Sequence, residues 1–135
     1  MAAVTTPRLN ESTDSLLRFA MRADGILTGL AGIAALPLAG WLADISGTTT
    51  TFEYAMGGFF IVYGVAVLGL AALPSVRNAG MAVIIANVVY TVAAVVFVLA
   101  DVLPLTTIGV VLTLATGAYT LVFAELQYQG WRRIK

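Results

Sequence analysis

RFAMRADGILTGLAG, Arg18 to Gly32, sets two arginines and an aspartate ahead of a stretch that becomes wholly apolar and rich in glycine. The reading of Asp24 decides where the first helix meets apolar surroundings. Taken as the last charge before the hydrocarbon, it makes Arg18, Arg22 and Asp24 an interfacial cluster. The same cluster could bind a lipid phosphate, couple an ion, or simply anchor a membrane helix at its end.

The rest of the chain favours a membrane setting. Of the 135 residues 60% are hydrophobic and 10% charged, against about 45–50% and about 25% in a soluble domain. The charges are widely spaced: uncharged intervals of 19 residues after Asp24, and of 23 after Glu53, Arg77 and Asp101. At about 1.5 Å rise per residue each interval can cross a hydrocarbon core about 30 Å thick as a helix. The spacing predicts an all-α, four-helix transmembrane bundle with spans near 25–43, 54–73, 80–100 and 105–124. A mobile tail over residues 1–13 precedes the membrane domain (14–129), and a basic end (130–135) follows it.

Sorting the cations gives the topology. Arg8, Arg18 and Arg22 precede the first span, Arg77 lies between the second and third, and Arg132, Arg133 and Lys135 follow the fourth. The loops on the other side carry Asp44, Glu53 and Asp101 and no cation. The positive-inside rule then predicts both termini in the cytoplasm of a bacterial inner (plasma) membrane. Glu11, Asp14 and Asp24, with no fitting cleavage site after Leu42, argue against a signal peptide.

Placed on helices, the small residues form stripes. Gly25, Gly29 and Gly32 share a face of the first span with Arg18 and Arg22, Gly57 and Gly64 share one on the second, and Gly109 and Gly117 share one with threonines on the fourth. Such stripes let helix backbones approach closely. They predict packing seams within the bundle, and through them a second copy or a larger membrane complex as partner. In the third span Asn87, Tyr90 and Thr91 fall at i, i+3 and i+4. An amide in hydrocarbon needs partners for both its ends. The threonine stripe of the fourth span or a second protomer could supply them, or the face could line a small polar pocket. At the other end, Glu125 is expected level with Arg22 and Asp24, which predicts an ion pair from Arg18 or Arg22 to Glu125.

Absences narrow the chemistry. The chain has no cysteine and no histidine, so thiolate metal sites, the usual haem ligands and the commonest general base are missing. No enzyme activity, cofactor or metal is called for, and nothing in the charge pattern calls for nucleic acid. No Asp, Glu, Lys or Arg is expected deep inside any span, whereas ion-coupled carriers use such charges. Small multidrug transporters have four spans too but rely on a glutamate embedded in the first helix, and small fluoride channels on a polar track, so both are set aside.

LLRFAMRADGILTGLAG (Leu16 to Gly32), NVVY (Asn87 to Tyr90) and FAELQYQGWRR (Phe123 to Arg133) resemble a family of small four-span integral membrane proteins common in actinobacteria. The resemblance runs from about Leu16 to Arg133. It implies the same fold, topology and location, and assigns chemistry to no residue. Two functions stay open: a structural or accessory membrane component that packs through its glycine seams, or a lipid or small-solute binder or carrier using the Asn87 face and an Arg18/Arg22 mouth.

Overall fold

The computed structural model describes residues 13–135, so all but the last residue of the expected 1–13 tail lies outside the described residues. These residues are all-helical, with no strand among them: α1 (Ser15–Ala35), α2 (Ala39–Ser46), α3 (Thr50–Ala71), α4 (Arg77–Leu99) and α5 (Thr107–Arg132). Three helices, α3, α4 and α5, are long and apolar enough to cross a membrane. A fourth crossing exists if α1 and α2, bent by 90° at their break, count as one span. Their outer faces are apolar, with Phe19, Val62, Val65 and Val122 each more than 60% exposed.

The first element departs from the expected span of 25–43. Pro37 lacks the N–H that would continue the helical ladder, and its ring conflicts with the carbonyl four residues back. The helix therefore stops at Ala35, and α2 resumes as a separate helix turned by a right angle. At the other end α1 begins at Ser15, ten residues before the expected start. Asp24, expected at a helix entrance, consequently lies in the middle of α1 and is fully buried.

The loop starts are written in threonine. Thr49 and Thr106 cap α3 and α5, each hydroxyl accepting a backbone N–H of the first turn at 3.0 Å (from Phe52 and Gly109). Gly47 ends α2 with φ 75°, a left-handed cap, and a Cβ there would collide with the Pro104 carbonyl, so α2 and the α4–α5 loop meet backbone to backbone.

Helix α1 packs chiefly on α3, and α4 chiefly on α5; α1 also touches α5, whereas α3 and α4 have little backbone contact. The α1–α3 seam is made of glycine. A Cβ on Gly64 would lie 2.6 Å from the Gly25 carbonyl oxygen, and one on Gly32 would lie 2.5 Å from that of Gly57; Gly29 faces the Gly64 Cα at 3.9 Å. Gly117 on α5 meets Ala94 of α4, and Gly109 abuts the Ser46 carbonyl. At the end of the bundle where α1 starts and α5 finishes, Leu17, Met21, Val67, Ala71, Val76 and Val83 form the apolar core. Leu17 lies between two further glycines, Gly80 and Gly130.

Candidate functional site

Ten residues into α1 the Asp24 carboxylate has no accessible surface, and five side-chain donors from four helices surround it. Oδ1 accepts from Thr28 Oγ1 at 3.0 Å, one turn along α1, and from Tyr119 OH of α5 at 3.3 Å. Oδ2 accepts from Tyr63 OH of α3 at 2.9 Å, Asn87 Nδ2 of α4 at 2.9 Å and Gln127 Nε2 of α5 at 3.0 Å. Asn87 Nδ2 spends its second proton on Gln127 Oε1 at 2.9 Å. The amide orientations follow from chemistry: a carboxylate only accepts, so both amides must turn nitrogen towards it.

No cation takes part. The ion pair formed among the described residues is Asp14–Arg18 at 2.9 Å, one turn apart near the start of α1. Taking a carboxylate out of water without compensation is prohibitive, so five neutral donors supply here what an arginine would supply elsewhere.

Above this cluster, towards the α2 end, lies a cavity of about 650 Å³, within the range of about 300–1,000 Å³ that small-molecule sites occupy. Four of the groups bound to Asp24 form part of its wall: Thr28, Tyr63, Asn87 and Tyr119. Elsewhere the wall is largely aromatic and alanine, and Glu53, from the first turn of α3, joins it at the loop end. Aromatic side chains bridge the lightly packed line between α3 and α4. Phe52 stacks on Phe97 with centroids 5.5 Å apart, and Phe60 leans on Tyr90 at 6.1 Å.

The structure sorts the expected site residues into separate groups. Asn87 meets Asp24, Tyr63 and Gln127, and not the threonine stripe. That stripe is met by Asn87's neighbours: Tyr90 OH reaches Thr116 Oγ1 at 3.3 Å, and Thr91 Oγ1 reaches the Gly117 carbonyl at 2.9 Å and Thr120 Oγ1 at 2.7 Å. The expected pair from Arg18 or Arg22 to Glu125 is not formed. Arg18 instead caps the end of α3, donating to the carbonyls of Ala71 (2.9 Å), Leu73 (2.6 Å) and Pro74 (3.0 Å). These carbonyls have no partner in their own helix, and a cation is the favoured group there. Glu125 is exposed and accepts from Gln129 at 2.8 Å, and Arg22 is exposed.

The absence of a charge deep in any span is likewise overturned by Asp24, and the argument against carriers on that ground lapses. Four members of the cluster escaped sequence reading: Thr28, Tyr63, Tyr119 and Gln127. Asp24 and Thr28 stand at i, i+4, the one local signal of the site. The other three come from distant segments and are ordinary residues until α1 is known to start at Ser15. No protein-family model, curated protein or solved structure matches the chain.

Proposed function

We propose that the chain is a four-span membrane protein, with both termini in the cytoplasm of a bacterial plasma membrane, that binds a small amphiphilic molecule in the cavity above Asp24. The observation that carries this reading is the buried, cation-free carboxylate whose own ligands form the cavity wall. A carboxylate needed only to fill the interior gains nothing there, because an apolar side chain would occupy the same place without desolvation cost; Asp24 instead fixes four groups that line the cavity, Thr28, Tyr63, Asn87 and Tyr119. The seven-to-zero distribution of Lys and Arg across the loops supports the orientation, and the bent α1–α2 pair supplies the fourth crossing.

A packing or accessory role drew its support from the glycine stripes. Gly25, Gly32, Gly57, Gly64, Gly109 and Gly117 all spend their close approach on helices of the same chain, which leaves the cavity as the stronger basis for function. The mouth formed by Arg18 and Arg22 has no part in this reading, since Arg18 is occupied in capping α3.

Native mass spectrometry of the protein purified in mild detergent tests the reading. One small molecule per chain is expected, lost when Ala93→Phe fills the cavity from the α4 wall while the variant stays folded. Equal occupancy in both proteins would place the ligand elsewhere and defeat the reading. For the orientation, a reporter enzyme active only outside the inner membrane, fused after Lys135, is expected to be silent.

A further inference from the structure

Resting on that cavity reading, we infer that the ligand is a lipophilic amine: an apolar body carrying one ammonium group, seated with the nitrogen against the oxygens around Asp24. The argument is a count of protons. Each hydroxyl owns one, and in the middle of this cavity each is already spent. Thr28 donates to Asp24 Oδ1 and Tyr63 to Oδ2. Tyr119 has only acceptors within reach on its inner side: Asp24 Oδ1, the Asp24 carbonyl and Thr28 Oγ1. Both amide protons of Asn87 Nδ2 are used, on Asp24 and Gln127.

The threonine wall of α5 behaves the same way. Thr113 donates to the Gly109 carbonyl at 2.8 Å, Thr116 to that of Thr113 at 2.7 Å, and Thr120 to that of Gly117 at 2.9 Å, the back-bonding that threonine adopts inside helices. Tyr90 donates to Thr116. Lone pairs remain on the phenol oxygens and on Asn87 Oδ1. With backbone N–H groups held in helices, the middle of the cavity offers acceptors and no free donor. The loop end differs: the hydroxyls of Ser46 and Thr48 lie on the wall there, with Thr48 beside the Glu53 carboxylate, to which it can donate.

Charge points the same way. The wall includes Glu53, lies over Asp24, and contains no lysine or arginine. Seven aromatic rings, from Phe52 through Tyr119, complete it, and ring faces attract cations. A carboxylate, sulfate or phosphate ligand would find no cation, and no donor beyond the hydroxyls at the loop end, where Glu53 would repel it. The phosphate of an aminophospholipid is excluded on that ground as well, so the amine is a free one and not a lipid headgroup.

The test is a matched set of probes titrated calorimetrically into the full-length protein in phosphatidylcholine nanodiscs: 4-phenylbutylamine, 4-phenylbutanol and 4-phenylbutyrate, with empty nanodiscs as the blank. Charge-assisted hydrogen bonds are about twice as strong as neutral ones, so the amine is expected to bind about 10-fold tighter than the alcohol, with the butyrate weakest. Glu53→Gln and, where it folds, Asp24→Asn are expected to weaken amine binding and bring it towards parity with the alcohol. If alcohol and amine bind equally, or the butyrate binds best, the amine assignment is wrong and the cavity reading survives. If none of the three binds, the cavity reading fails and this inference with it. Displacement of the amine by added phosphatidylethanolamine would overturn the assignment in favour of a lipid.

Discussion

The two ends of this bundle use the same small residues to opposite effect. At the end where α1 starts and α5 finishes, Gly80 and Gly130 make room for Leu17, and apolar side chains fill the interior. Towards the α2 end, Gly25, Gly32, Gly57 and Gly64 draw α1 against α3, but α4 and α5 form a separate tight pair, and Phe52, Phe60, Tyr90 and Phe97 span the space between. Threonines on α5 bond to their own backbone and to Tyr90 and Thr91 of the paired helix α4. Glycine seams thus decide which helices pair, and what lies between the pairs decides whether the interior is filled or left open. Asp24 sits at the boundary, with the apolar core on one side and the cavity on the other.

The sharpest contrast between the regions lies in their aspartates. Asp24→Leu leaves five buried donors without their acceptor, and we expect it to cost about 3–5 kcal/mol in detergent unfolding measurements. Asp14→Leu removes one half-buried end of an i,i+4 pair whose arginine keeps three carbonyl partners, and is expected to cost about 1 kcal/mol. Similar losses at both positions would erase the distinction between a fully buried node and a peripheral pair.

The glycines give the next largest difference. Gly64→Ala pushes a Cβ onto the Gly25 carbonyl and has no side chain to displace, so a loss of about 1–3 kcal/mol is expected. Nothing lies within 4 Å of a Cβ built at Gly58 or Gly69 on the same helix. There the change to alanine is expected to be neutral or to stabilise by up to about 1 kcal/mol. A Gly64→Ala protein as stable as Gly58→Ala would show that α1 and α3 do not meet through this seam.

Smallest of all should be the coupling between Arg22 and Glu125. In the charge-swap cycle, Arg22→Glu with Glu125→Arg, the effects are expected to add to within about 0.5 kcal/mol. Rescue of either single variant by the other would restore the clamp that the sequence suggests and the structure does not form.

How much of this was legible beforehand depends on the residue. The helices α3, α4 and α5 can be read from uncharged intervals, since few other patterns keep 23 residues free of charge. Asn87 stands out for the same reason: a lone amide in an apolar run must have a partner inside. Asp24 was hidden by the rule that exposed the others. Charges served as the ends of spans, so an internal acid was read as an end and the first span was placed ten residues late. The 90° turn at Pro37 compounded this, because residues 39–46 look like a continuation of the helix although they lie across it. Tyr63, Tyr119 and Gln127 carry no local signal at all, because they matter only through a carboxylate that α1 brings to them from 39, 95 and 103 positions away.

The central claim is that Asp24 is an internal acceptor tying α1 to the other helices. A double-mutant cycle between Asp24→Leu and Gln127→Leu, followed by equilibrium unfolding in detergent, tests it most directly. The 3.0 Å bond between these residues predicts a coupling energy of about 1–3 kcal/mol, the double variant losing less than the two single losses combined. Strict additivity would mean that the two side chains do not meet, and would return Asp24 to the membrane interface.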